Sequence, residues 1–407
     1  MGIVKTFIVV CLVAASGCRF DPRASVGNNR DGNLADVIHV HKDARLDGPD
    51  GNQQWIDAHV DAGIDSSVDA QFVCQENAFS CNGNEASLCK NNTWLSVGRC
   101  FLGCDQSSRA CLEPSNVDTG TLGFDENQLS GLDLPGGSTV LIHTDSGQID
   151  DQTGGSTIRH ADNGHIRDGV AFYRKQVQGS PDLGIFVFDH LTVPAGTVIV
   201  FTGRPAAVFL VAGDVSIVGT IDAGAHGQDP GPGGYKGGDA SHASTEGGNC
   251  RGQPGVGTNA CSDLCSSGSG GGGFGGPGGA GGALSSCNGQ TLAAGIGGAI
   301  CGTTDLVPLH GGGGGAGGVK VAGEDSSAPG AGGGGGGAIQ ISARGTISLQ
   351  GGGGITVPGD GGGETASGGG SGGGAGGAIL LEALAITADS DFFLTANGGG
   401  GGGGDCT

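Results

Sequence analysis

Large and charged side chains are scarce in this chain. Aromatic residues make up 4% and charged residues 14% of its 407 positions, while 93 positions are glycine, which offers no side chain to bury. One ordinary compact domain is therefore excluded, and any core is expected to be thin and aliphatic. Only 18 lysines and arginines stand against 40 aspartates and glutamates, a formal net charge of −22 with no basic patch. That balance argues against nucleic acid or an anionic membrane surface as a partner. A collagen triple helix is excluded too, because it needs glycine at every third position, whereas here the 14 prolines are scattered and the glycines come in runs. No Walker loop or His-Glu-x-x-His element occurs, and the sequence assigns no catalytic, cofactor or metal site.

Long apolar runs are missing as well. The stretch Phe7 to Ala15 has nine residues, too few to cross a hydrocarbon core of about 30 Å as a helix. With Lys5 before it and Ser16-Gly17-Cys18 after it, residues 1–17 read as a signal peptide. Ala15-Ser16-Gly17-Cys18 resembles the bacterial lipoprotein signal, although Ala15 stands where leucine is usual. The resemblance implies that Cys18 is lipidated and becomes the mature N-terminus. Arg19, not aspartate, follows it, which implies residence in the outer membrane, on its periplasmic or surface face. Several acyl chains would make that anchor stable.

Of 14 cysteines, Cys11 leaves with the signal and Cys18 takes lipid, so twelve remain. An oxidising compartment makes them structural disulfides by default, with the pairing open. Six, Cys74, Cys81, Cys89, Cys100, Cys104 and Cys111, crowd into residues 74–111, a module too short to hold itself by apolar burial alone. Trp94 is its expected apolar plug. Zinc is disfavoured there, since no C-x2-C pair and no histidine is present. The other six are Cys250, Cys261, Cys265, Cys287, Cys301 and Cys406, where bridges would restrain a long glycine-rich insertion and the chain's end. Residues 18–73 are polar and rich in aspartate, and read as a disordered acidic tether. Residues 112–135 form a polar linker.

From residue 136 the pattern becomes that of short strands. Ile185–Phe188, Thr197–Phe201, Val208–Val211 and Val215–Val218 are β-branched or aromatic runs separated by glycine and proline turns. A sandwich, a barrel or a solenoid is compatible with that spacing, and the glycine distribution decides. Sixty-seven of the 93 glycines lie from residue 221 onward, between recurring strand cassettes. Ala338-Ile339-Gln340-Ile341-Ser342-Ala343 recurs as Ala378-Ile379-Leu380-Leu381-Glu382-Ala383, with an earlier cousin in Ala207 to Ala212. The expectation for 136–407 is all-β, a parallel β-helix or β-solenoid whose glycine runs are insertions at the turns. Those runs have two physical readings. They are loose loops, or they pack as polyproline II-like helices whose bare backbones exchange hydrogen bonds, the arrangement expected beside the strand cassettes.

The order of signal, aspartate-alanine tether, six-cysteine module and glycine-rich repeats resembles predicted glycine-rich surface lipoproteins of myxobacteria. The resemblance implies the architecture and a lipid-anchored envelope or surface location, and repetition without a catalytic cluster points to a non-enzymatic protein, structural or adhesive. Its expected partners are the membrane, through the lipid, and extracellular polysaccharide or envelope components. An alternative comes from Asp150-Asp151, Gly164-His165 and Arg167-Asp168, which partly resemble the residues of pectin-hydrolysing β-helices and imply a polysaccharide lyase or glycosidase. The preceding Asn-Thr-Asp element is absent, and Ile166 interrupts the Gly-His-Gly. Trp94 offers a further route to glycan, by stacking.

Overall fold

A computed structural model describes residues 6–10, 74–82, 84–258, 265–285, 291–319, 330–363, 368–401 and 405–406. Cys18, the tether over 18–73, Cys261, Cys287 and the rest of the signal segment lie outside these residues. Among the described residues the chain is nearly all-β, with three short 3-10 helices and no α-helix.

Strands stack in three parallel rows. The first row joins Leu183–Phe188, Ala206–Val211 and the first halves of Ala338–Leu349 and Ala378–Ala388. The second joins Leu132–Asp133, Leu191–Val193, Val215–Ile217 and the second halves of the two long strands. The third joins Thr139–His143, Val198–Thr202, Thr220–Asp222, Gly354–Thr356 and Phe393–Thr395. Antiparallel strands at one end, including His165–Arg167 and Val170–Lys175, make the sheets mixed. At the other end Thr6–Val10 pairs antiparallel with residues 379–383.

Alternate residues of each strand point between the rows, as the two-residue period of a strand requires. Phe186, Phe209, Ile341 and Leu381 meet in one buried cluster with Val193, Ile217, Ile221 and Ile355 from the other rows. The core is thus not wholly aliphatic. Phe172, Phe186 and Phe209 pack with ring centroids 4.8 and 5.7 Å apart, because the chain's few aromatics are concentrated between residues 172 and 209. The outward residues Ile185, Val187, Val208, Leu210 and Leu380 are buried as well, beneath Phe101, Leu102, Val117, Leu306 and Leu309. Burial on both faces explains why these strands read as continuous apolar runs.

Arg159 closes the first end of the core. Fully buried, its Nε donates to the Val170 carbonyl at 3.0 Å and its Nη1 to those of Gly147 and His160 at 2.7 and 2.9 Å. Nη2 reaches the carbonyls of Asp162 and His165, and the guanidinium lies 5.6 Å from the Phe172 ring centre. Burial pulls its pKa down to about 10, so it remains charged at neutral pH and satisfies carbonyls that the ends of the hairpins leave over.

The glycine runs form an ordered layer. Gly312, Gly315 and Gly318 donate their N–H groups to Gly336, Gly333 and Gly330, while their carbonyls accept from Tyr235, Gly238 and Ser241. Gly313 and Ala316 donate to Gly273 and Gly270 and accept from Ala375 and Gly372. Each neighbour is met again every third residue, which is the repeat of a polyproline II-type helix. Such a helix makes no internal hydrogen bonds, so its donors and acceptors are free to reach adjacent runs in several directions. Close approach demands glycine: a Cβ on Gly272 would lie 1.9 Å from the Gly313 oxygen, and one on Gly335 1.9 Å from the Gly312 oxygen. Two runs lead directly into the strands Ala338–Leu349 and Ala378–Ala388, so layer and rows are continuous.

The cysteine module holds a three-stranded antiparallel sheet, Phe79–Asn82, Glu85–Lys90 and Thr93–Arg99. Its bridges are Cys74–Cys89, Cys81–Cys104 and Cys100–Cys111. Trp94 is not its plug. The ring is 42% exposed on an edge strand with Leu95 and Val97, and Phe79, Ala86, Cys100 and Cys104 fill the interior instead. Sulfur atoms and one phenylalanine leave no room inside for an indole.

Candidate functional site

The residues that suggested polysaccharide cleavage fall into separate clusters. Asp150 and Asp151 are neighbours on one strand, so their side chains point to opposite faces. Asp150 accepts from Gln148 and Thr157 and lies 3.1 Å from His143 Nε2. Burial raises its pKa, but the bonds from Gln148, Thr157 and His143 together outweigh it and hold the carboxyl below its ordinary value. A general acid for glycosidic cleavage needs the opposite shift. Asp151 is buried and caps the turn at Thr153 and Gly154. His165 is exposed and pairs with Asp162 at 3.1 Å, and Asp162 also binds Arg167. His160 and Asp168 form a further surface pair at 2.9 Å.

Cys250 is bridged to Cys301, tying the run near 250 to the run ending at 302. Cys265 and Cys406 are backbone partners on the antiparallel strands Cys265–Ser266 and Asp405–Cys406. These four bridges fit maturation in an oxidising compartment. No helix among the described residues is long and apolar enough to cross a membrane.

A cleft of about 440 Å³ opens where the glycine layer crosses the leading ends of the first row. Its walls come from four distant segments: Arg174, the turn Gly179–Asp182, the turn Arg204–Pro205, and Tyr235 with Glu246 from the insertion. The strand Val170–Lys175 supplies the first, turns at strand ends the next two, and the hydrogen-bonded run around Tyr235 carries the fourth across. Charges alternate along the walls. Arg174 binds Asp182 at 3.0 Å and Asp145 at 3.5 Å, the backbone N–H of Arg204 donates to Asp145, and the Arg204 guanidinium pairs with Glu246. Glu246 also accepts the Lys236 N–H.

Among the described residues, one shielded hydroxyl of this cleft, Ser180 Oγ, has no partner. Tyr235 lines the same cleft, and its ring packs 5.9 Å from His310, which in turn stands edge-on to Phe274 at 5.3 Å. Burial, and secondarily Glu246, raises the Tyr235 pKa, so the phenol stays protonated and able to donate. Sequence reading missed this site because none of its residues is close to another in a motif. The one available signal was Tyr235, one of only two tyrosines, set alone among glycines.

No known protein family, curated protein or solved structure matches the chain.

Proposed function

We propose that this is an exported, non-enzymatic surface protein, held by lipid on Cys18 and serving a structural or adhesive role. The three parallel rows are read as a β-solenoid stem, with the tether, cysteine module and stem in that order from the membrane outward. One observation carries the reading: the glycine runs are ordered, three residues per turn, into a layer continuous with the stacked strands. Ordering so much glycine is entropically expensive, and a body that gains rigidity from it suits mechanical display better than gating or catalytic motion. The disulfides and the exposed Trp94, Leu95 and Val97 on the outer strand of the cysteine module support an extracellular setting with contact surfaces.

The test is a deletion strain complemented with the natural chain or with Cys18→Ser. Deletion is expected to reduce attachment to surfaces and matrix, and Cys18→Ser to move the protein from the membrane to the soluble fraction without restoring attachment. Attachment unchanged by deletion overturns the adhesive role, and membrane retention of the Cys18→Ser protein overturns the lipid anchor.

A further inference from the structure

We propose that the cleft lined by Tyr235, Ser180, Arg174, Asp182, Arg204 and Glu246 binds a neutral saccharide ring. The proposal deepens the adhesive reading and rests on it for its biological setting. Three observations select this ligand class. The volume of about 440 Å³ falls in the range of small-molecule sites and suits one or two sugar rings. The charges that line it pair one to one, the guanidiniums of Arg174 and Arg204 against the carboxylates of Asp182 and Glu246, while Asp145, which Arg174 also contacts, lies outside the lining. An anionic ligand would need an excess of positive charge to offset its desolvation, and a cation an excess of negative charge. Balanced ion pairs instead present fixed donors and acceptors side by side, which is what vicinal hydroxyls of an uncharged sugar require.

The third observation is the Ser180 hydroxyl, which is shielded and has no partner among the described residues, with the Tyr235 hydroxyl lining the same cleft. A shielded hydroxyl without a partner is disfavoured, and a ligand hydroxyl placed there removes the deficit. The Tyr235 ring, with Pro181 and Pro205, adds apolar surface against which the C–H face of a pyranose can lie. Tyr235 is held in place by His310 and by Gly247, where a Cβ would come within 3.1 Å of the ring. The surface is therefore formed before the ligand arrives.

Calorimetry and saturation-transfer NMR on the purified full chain, with neutral gluco-, galacto- and manno-oligosaccharides beside uronic-acid oligosaccharides, test this. Saturable binding of at least one neutral oligosaccharide is expected. Tyr235→Phe is expected to weaken it about threefold to tenfold, the loss of one hydrogen bond, and Arg204→Gln to weaken it similarly, with melting unchanged. Lys90→Ala, on the cysteine module, is expected to leave it unaltered. No binding by any neutral oligosaccharide at millimolar concentration, binding of uronic acids alone, or binding indifferent to both cleft variants overturns the proposal. Saccharide binding by the pure chain alongside normal attachment of the deletion strain would uphold the cleft and sink the adhesive reading. Defective attachment without saccharide binding would do the reverse.

Discussion

The Ser115 hydroxyl donates to the buried Glu382 carboxylate at 2.6 Å, across 267 positions of sequence. Glu382 is 1% exposed and also accepts from the Ser115 N–H, Gln340 and Ser342. Asn116 beside it bonds Gln340 and the backbone of Leu306 and Leu309. The connector between the cysteine module and the strands is thereby pinned to the outer face of the first row.

Glu382→Ala would leave the buried donors of Gln340 and Ser342, and two donors of the exposed Ser115, without their acceptor. A loss of about 2–4 kcal/mol is expected in urea unfolding, with new proteolytic cleavage between residues 112 and 135. Glu382→Gln retains acceptor capacity on one oxygen and should lose less. Equal stability of Glu382→Ala and the natural chain would show that the connector is held by its apolar contacts alone.

The glycine layer makes a position-specific prediction. Gly335→Ala forces a methyl to 1.9 Å from the Gly312 oxygen, whereas Gly279→Ala enters open space. Thermal unfolding should show a loss of about 3 kcal/mol or more for the first and a change within about 0.5 kcal/mol for the second. Equivalent melting of the two variants would mean the runs are not packed as described.

His190 stands between Asp189 at 3.1 Å and Asp133 at 3.2 Å. The bond to Asp189, then that to Asp133, outweighs burial and raises its pKa above the ordinary 6.5. Because the folded value is the higher one, the stabilisation is full below pH 6.5 and is lost as pH rises through the folded value. With the side chain 42% exposed, the effect on stability should stay below about 1 kcal/mol. An NMR titration of His190 checks the shift directly, and Asp189→Asn should move the midpoint back toward 6.5. A midpoint at or below that value in the natural chain would refute the assignment.

Arg344 ties the cysteine module to the strands. Its guanidinium forks onto Glu126, its Nε donates to the Phe101 carbonyl at 3.1 Å, and it lies 5.3 Å from the centre of the Phe101 ring. Arg344→Ala should cost about 1–3 kcal/mol and speed hydrogen exchange over residues 100–126 while leaving the module's disulfides intact on peptide mapping. Unchanged exchange there would place the docking energy in Phe101 and Leu102 alone.

Several of these features were legible in the sequence. The cassettes at 338 and 378 pair residue for residue, Ala338 with Ala378 through Ala343 with Ala383. The third cassette is displaced by one: Ala207 pairs with Ile339, so Ala206, not Ala207, matches Ala338. Alanine at both 206 and 207 hid the register, and only the inward set of Ala207, Phe209 and Val211 fixes it. Trp94 was misread because a lone tryptophan carries no periodicity to say which way it faces. Asp150 and His165 looked like partners by proximity in sequence, but strand alternation and a turn separate them. The cleft at Tyr235 was invisible because four segments build it, and an unpartnered hydroxyl is a property of packing alone.

The three-residue turn of the glycine runs imposes a counting rule on this molecule. Adding or deleting one residue within Gly311–Gly318 would rotate everything beyond it by a third of a turn, aiming each N–H at a different neighbour; a three-residue change restores every pairing and merely lengthens the run. Length variation in these tracts is therefore tolerated in multiples of three, and a single slipped glycine is more damaging than the insertion of a whole extra turn.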